Sequence, residues 1–355
     1  MIRRPRAAGA ALLLLAALLL AACAPRPEPV HHDRFLVLGT LVDLTLWDAD
    51  EDTAQRAAAE VLRVLRGVHE RWHAWEDSPL TRLNQALAAG RPFPLEPGMA
   101  EVLREARRLS ALSGGLFDPG IGALVRLWGF QSDDPPHGPP PPEARIQALL
   151  ARGPSIAHLR LEAGPEGVRA RSETPTLQLD LGAFLKGWAV DQAVERLHAM
   201  GLEDLILNAG GDLRASGDKG GRPWRIGIRD PRGPGVLASL EIRGDEAVFT
   251  SGDYERYYDW EGVRYHHLID PRTGRPARGT LSVTVVHPRG AVADAAATAL
   301  FVAGPEGWRE VARRMHLTQV MLVAADGTVH LTPAMERRMR FESRPARVVV
   351  EQVGP

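Results

Sequence analysis

Asp294 and Thr298 stand four residues apart in the run Val292-Ala293-Asp294-Ala295-Ala296-Ala297-Thr298-Ala299-Leu300. On a helix that spacing puts a carboxylate and a hydroxyl on one face. Both are the hard oxygen donors that Mg²⁺ takes, and the flanking alanines leave room for a bulky ligand. Asp294 as a helix cap with Thr298 as filler would give the same letters. A second group lies in Leu179-Asp180-Leu181-Gly182-Ala183-Phe184-Leu185-Lys186-Gly187-Trp188-Ala189-Val190-Asp191. Here a strand ends in a carboxylate, a glycine permits a tight turn, and a lysine follows at the start of a helix. A helix N-terminus with a nearby cation suits phosphate. Lys186 and Lys219 are the only two lysines, against 41 arginines. A compact ammonium is thus used where the chain otherwise uses the guanidinium fork. Chance retention of the lysine and a plain capping role for Asp180 are the alternatives.

Two further runs carry polar groups at turns. Asn208-Ala209-Gly210-Gly211-Asp212 pairs two glycines that let backbone approach a ligand closely, although a Gly-Gly turn between strands looks the same. Thr250-Ser251-Gly252-Asp253-Tyr254 is followed by His266-His267-Leu268-Ile269-Asp270-Pro271-Arg272-Thr273-Gly274. A strand there delivers two histidines and an aspartate into a Pro/Gly loop, the kind of place where function concentrates; a hairpin rich in hydrogen bonds is the alternative. Adjacent histidines on a strand point to opposite faces, so neither His266-His267 nor His31-His32 makes a metal site alone.

These residues need a frame. Phe35 to Trp47 reads as strand with a bend at Gly39-Thr40. Asp50 to Glu76 reads as one long helix, with Val61, Leu65, Val68, Trp72 and Trp75 along one face. Pro97 to Ser113 is a second helix, stopped by Gly114-Gly115. A Pro-rich surface loop over residues 131–142 and a short helix to about Ala151 follow. Short strands lie within Leu159 to Leu181, and a helix runs from Gly182 to Met200. Leu205 to Leu207 is strand, Trp224 to Val286 is mostly strand, Val292–Ala303 and Pro305–Met315 are helices, and a hairpin turns at Asp326-Gly327. Strands and helices mix without regular βαβ alternation, which predicts an α+β fold: one large domain over residues 35–340, in one lobe or two. Residues 341–355 form a tail that is either a last strand or coil.

Several classes are excluded. There is no G-x-G-x-x-G after a strand, no Walker A motif, no G-x-S-x-G elbow and no H-E-x-x-H pair. A formal charge of −1 over 355 residues does not fit a nucleic-acid binder, which draws its affinity from neutralising phosphates. The single cysteine, Cys23, rules out an internal disulfide and a cysteine-rich zinc site. Cys23 closes an apolar run, Ala7 to Ala22, that follows Arg3, Arg4 and Arg6. This is the layout of a signal peptide. Leu20-Ala21-Ala22-Cys23 resembles a bacterial lipobox, in which the cysteine is lipidated and becomes the mature N-terminus; an ordinary signal peptide with an incidental cysteine is the alternative. On the lipobox reading residues 1–22 are removed, residues 23–34 are the lipidated tether, and the mature chain has 40 basic against 44 acidic side chains. The protein would then sit at the periplasmic face of a bacterial membrane, inner or outer; Ala24 after the cysteine favours the outer.

Together, DLGxxxKGxAVD, NxGGDxxxxG, TSGDYERYY…HHLIDPRTGRPA and ADAxATAL, in this order from about Leu38 to Leu331, strongly resemble the ApbE family of bacterial FAD:protein FMN transferases. The resemblance implies that FAD binds in a cleft with Mg²⁺ (Mn²⁺ is the other candidate). A threonine of an exported acceptor protein would attack the FMN-side phosphorus, and AMP would leave. It implies that Asp294, Thr298 and the Ala183 carbonyl hold the metal, and that Ala297 stands where some members have a further aspartate. It places Leu38, Trp75, Leu116-Phe117-Asp118, Asp180, Lys186 and Ile269 at the flavin nucleotide. His267 is the candidate base for the acceptor hydroxyl, with Lys186 beside the phosphates. A Mg²⁺-dependent FAD pyrophosphatase, with water in place of threonine, is the nearest rival; a flavin-binding lipoprotein without turnover is the other.

Overall fold

The computed structural model describes residues 29–354 apart from Asp133 and Pro135. The apolar leader, Cys23 and the first part of the tether lie outside the described residues. A nine-stranded sheet runs through the molecule: β1 (Val30–Val37), β2 (Thr40–Trp47), β3 (Leu205–Ala209), β4 (Asp212–Ser216), β5 (Glu246–Gly252), β6 (Thr280–His287), β7 (Val320–Ala324), β8 (Thr328–Leu331) and β9 (Arg347–Val350). Its spatial order is the chain order. Neighbours are antiparallel until β8 and β9, which run parallel.

Both faces of this sheet are covered. On β5, Ala247 and Phe249 enter one core while Val248 enters another, as the two-residue period of a strand requires. The same alternation separates Val320 and Leu322 from Met321 and Val323 on β7. Strands covered on both sides read as continuous apolar runs, as in the Val320–Ala324 sequence VMLVA. Helices α1 (Glu51–Trp72), α2 (Pro79–Ala88), α3 (Met99–Ser113), α4 (Gly122–Leu127), α5 (Glu143–Leu150), α6 (Gly182–Ala199) and α7 (Gly290–Arg314) supply the rest of the frame. α6 packs on α1 and α7, and α7 lies on β5, β6 and β7. The opposite face carries a three-stranded antiparallel sheet of Trp224–Arg229, Val236–Ile242 and Met339–Phe341. A third apolar cluster joins Leu124 of α4 and Ile146 of α5 to Trp128, Phe130, Tyr258 and Ile269.

Three boundaries differ from the sequence reading. α1 stops at Trp72, because His73 turns to extended dihedrals (φ −61°, ψ 126°). The chain then re-enters a helix, α2, through a capping box between Ser78 and Thr81 with Pro79 in the first turn. Trp75 therefore lies outside the α1 stripe and is 38% exposed. β1 starts at Val30, inside the expected tether, paired residue for residue with β2. β9 draws the expected tail into the central sheet, and Glu351 behind it accepts from His330 Nδ1 at 2.7 Å.

Candidate active site

α6 and α7 cross at two glycines. A Cβ on Gly187 would lie 2.2 Å from Gly290 O, and one on Gly290 would lie 2.9 Å from Gly187 O, so the backbones approach as only glycine allows. Asp191, one turn beyond Gly187, accepts from Gly290 N at 2.7 Å and Ala291 N at 3.0 Å. It thereby caps α7, which has no side-chain cap of its own. Arg214 of β4 completes this buried group, donating from Nη1 to Asp191 at 2.9 Å and from Nε and Nη2 to Asp245 at 2.7 and 2.6 Å.

The crossing sets Asp294 against the first turns of α6. Gly187 N donates to Asp294 Oδ2 at 2.9 Å. Helix geometry would give that N–H to the Ala183 carbonyl. Ala183 departs from helical dihedrals (φ −85°, ψ 18°) at this point of the helix. One turn along α7, Thr298 Oγ1 lies 3.2 Å from Ser251 Oγ of β5. Asp294 and Thr298 are both buried, and Asp294 Oδ1 has no hydrogen-bond partner among the described residues. Burial pushes the Asp294 carboxyl up to about 7; Asp212 adds to the shift and Lys186 opposes it. A half-satisfied buried carboxylate and a hydroxyl, with the kinked backbone of Ala183 opposite, are oxygen donors of the type that fits Mg²⁺, which keeps several waters of its own. No cluster of three or more His, Cys, Asp or Glu side chains placed to hold a metal occurs among the described residues, so an ion here would depend on these mixed oxygens. Ala297 is fully buried in the main core.

Lys186 reaches across to β4, where Nζ donates to Asp212 Oδ2 at 2.6 Å. Asp212 is buried and also accepts from Thr250 N of β5 at 2.7 Å. Burial alone would lower the Lys186 pKa, but Asp212, Asp294 and Glu255 outweigh it and hold the ammonium above its ordinary value. Glu255 is open to solvent yet crowded by the walls around it. That crowding raises its carboxyl to about 7; Lys186 opposes the shift, and Asp212 and Asp294 reinforce it. Asp212 and Glu255 were not singled out as site residues, although both stand within the quoted motifs.

The β1–β2 hairpin tip arrives beside this group, since a Cβ on Gly210 would touch Thr40 Oγ1. The tip turns through Leu38 (φ 57°) and Gly39 (φ 69°). Positive φ at both positions marks a type I′ turn, which favours Asn-Gly. A leucine there is strained, and strain of this kind gathers at ligand sites.

His266 donates from Nε2 to Ala277 O at 2.8 Å and accepts from Leu268 N at Nδ1, 3.3 Å away. His267 donates from Nδ1 to Arg256 O at 3.2 Å, which leaves its Nε2 lone pair free of any partner among the described residues. Burial pulls His266 down to about 4 and His267 to about 3. Both rings are neutral near pH 7. Ile269, two residues on, is buried in the third cluster.

The expected flavin-end residues divide into two groups. Asp180 holds the start of α6, accepting from Gly182 N at 2.9 Å and Gln131 Nε2 at 2.7 Å, although the N-cap position itself falls on Leu181. Gln131 and Trp75 line a cavity of about 590 Å³ with Asn84, Arg126 and Gln178. That cavity does not include Lys186, Asp294 or His267; Gln131 on its wall reaches Asp180 at the start of α6. Trp75 meets His73 edge-on at 4.6 Å. Phe117 and Asp118 make contacts with the framework. Phe117 is buried against Phe184. Asp118 spends both oxygens on Gly120 N, Ile156 N and Ser155 Oγ at 2.7, 2.8 and 2.5 Å. Leu116 is partly buried on the main core.

The chain matches the ApbE family model over residues 38–322 and belongs to that family. A FAD:protein FMN transferase of Rhodobacter capsulatus is 44% identical over 330 residues, or 93% of this chain, which spans 62% of that protein's length. One from Vibrio cholerae is 35% identical over 315 residues, covering 86% of this chain and 91% of the relative. Among solved structures, the ApbE protein of Thermotoga maritima matches with a TM-score of 0.79 and 28% identity, over 88% of this chain and 99% of that one. The flavin transferase ApbE of Vibrio cholerae matches with a TM-score of 0.74 and 31% identity, over 88% and 100%. The family and the α+β architecture expected from the sequence hold.

Proposed function

We propose that this protein transfers the FMN moiety of FAD to a threonine hydroxyl of an acceptor protein, with AMP as the leaving group. The observation that supports the reading is that Asp294 of α7 bonds Gly187 N of α6 beside Lys186, with Thr298 one turn along. Asp294, Thr298 and Ala183 O would hold Mg²⁺ or Mn²⁺, which supplies charge neutralisation for a diphosphate under attack. Lys186, kept charged by Asp212, offers the anion a fixed point charge. His267 presents an unprotonated Nε2. Nearby negative charge raises the basicity of an imidazole, so a bound diphosphate prepares this nitrogen to take the acceptor proton. The new O–P bond to threonine forms as the P–O bond to AMP breaks, and the proton passes to His267.

Cys23 is the proposed lipid attachment point, on the periplasmic face of a bacterial membrane. The six residues between it and Val30 would keep β1 within about 25 Å of the lipid. Loss of labelled palmitate incorporation in Cys23→Ser is the expected result; labelling that persists would remove this assignment.

The test of the transferase reading is incubation of the purified protein with FAD, Mg²⁺ and candidate acceptors, followed by mass spectrometry. An FMN-sized adduct on a threonine is expected. It should be absent with Asp294→Ala and slowed at least about a hundredfold with His267→Ala while FAD still binds. Free FMN and AMP without an adduct would make water the nucleophile instead.

A further inference from the structure

α4 and α5 face each other across a groove that the chemistry described above does not use. Ala123, Arg126 and Leu127 of α4 lie opposite Arg145, Ala148 and Leu149 of α5, with Arg152 just beyond, around a hollow of about 410 Å³. Arg145, Ala148, Leu149 and Arg152 recur at steps of three and four, which is one helical face. The alanines keep the floor open. The three guanidinium groups are exposed, and no acidic side chain lines the hollow.

The three side chains have no ion pair or hydrogen bond among the described residues. Arg275 nearby, in contrast, pairs with Glu143 of α5. Three like charges gathered without a counter-ion raise the local potential and attract anions. The hollow also opens into the larger cavity that holds Trp75 and Gln131, sharing Ala123, Arg126, Leu149 and Arg152 with it.

We propose that this groove receives an acidic segment of the acceptor protein, whose carboxylates seat on Arg126, Arg145 and Arg152. The proposal rests on the transferase reading only in requiring that an acceptor protein exists. A peptide fits better than the nucleotide because the α6–α7 crossing already supplies the diphosphate with a cation and metal-binding oxygens. Guanidiniums spread over two helices and a loop match several separate carboxylates. An open, solvated groove also suits a chain that arrives and leaves with each turnover, and charge at such a rim acts chiefly on encounter and register.

The experiment uses a fluorescein-labelled hexaglutamate peptide and the full-length protein. Peptide binding is read by fluorescence anisotropy, and FAD binding by quenching of flavin fluorescence. Arg145 lines the groove but not the larger cavity, so Arg145→Glu should weaken peptide binding at least about tenfold with FAD affinity unchanged. The triple variant Arg126→Gln, Arg145→Gln, Arg152→Gln should abolish peptide binding, and added salt should weaken it in the native protein. Equal peptide binding by native and Arg145→Glu proteins would overturn the proposal. So would a matching loss of FAD affinity in Arg145→Glu, which would give the guanidiniums to the nucleotide. Because both readings are binding measurements, their outcome is separate from whether FMN is transferred.

Discussion

At the scale of single residues, Leu38 and His266 allow direct tests. Leu38 holds φ 57° in a turn built for Asn-Gly. Leu38→Asn should leave thermal stability within about 1 kcal/mol of the native protein, because relief of strain offsets the lost apolar contact. Its KM for FAD should nevertheless rise several-fold; an unchanged KM would take Leu38 out of the flavin site. His266 is neutral when folded, with a pKa drawn to about 4 from 6.5 by burial. As pH falls below 6.5 the unfolded chain takes up this proton first, so the stability present above about pH 6.5 is lost towards pH 4. The loss amounts to at most about 3 kcal/mol. Denaturant titrations across this range should show a shallower acid limb in His266→Gln, whose amide can still donate to Ala277 O; an identical limb would clear His266 of the effect. The pairing of Asp294 with Thr298 was legible because helical spacing is a local property: residues four apart share a face in any helix. Asp212 and Glu255 were not, because what they do arises where β4, the end of β5 and α6 meet. Asp118 reads identically in sequence whether it faces a ligand or three donors of its own chain.

At the scale of elements, one carboxylate ties the helix pair together. Asp191→Ala would strip α7 of both amide acceptors and leave Arg214 with Asp245 alone. A buried charge that loses a partner costs about 3–5 kcal/mol, and urea denaturation should show a loss of that size; a change below about 1 kcal/mol would mean that water caps α7 equally well. α6 and both halves of α7 were read as helices from the sequence, and the kink at Gly304 (φ 71°) falls where the two expected helices were divided. α2 escaped notice because it is only ten residues long. The α1 period was extended through Trp75 because it stands three residues after Trp72, the next step of the same stripe. The turn between the two helices is set by side-chain caps at Ser78 and Thr81, which periodicity does not register.

At the scale of the whole molecule, the last strand belongs to the sheet. A chain ended after Phe341 loses β9 and Glu351, which pairs with His330 at 2.7 Å and Arg309 at 3.5 Å. Its melting temperature should fall, by an amount equivalent to about 1–3 kcal/mol. Light scattering should rise, because β8 becomes an open edge. FAD affinity per folded molecule should stay the same, since no candidate site residue follows Thr298. The tail's composition alone left strand and coil equally open, because a parallel partner for Arg347–Val350 is a long-range choice.

The spatial order of the sheet also bears on time. β2 waits about 160 residues for β3, and at about 5–20 residues per second a growing chain carries that unattended hairpin for roughly ten to thirty seconds. Lys186 is made long before Asp294, and the crossing that joins them cannot form until α7 has been synthesised. The α6–α7 contact that sets Gly187 N on Asp294 therefore comes into being only after most of the sheet's strands have been made.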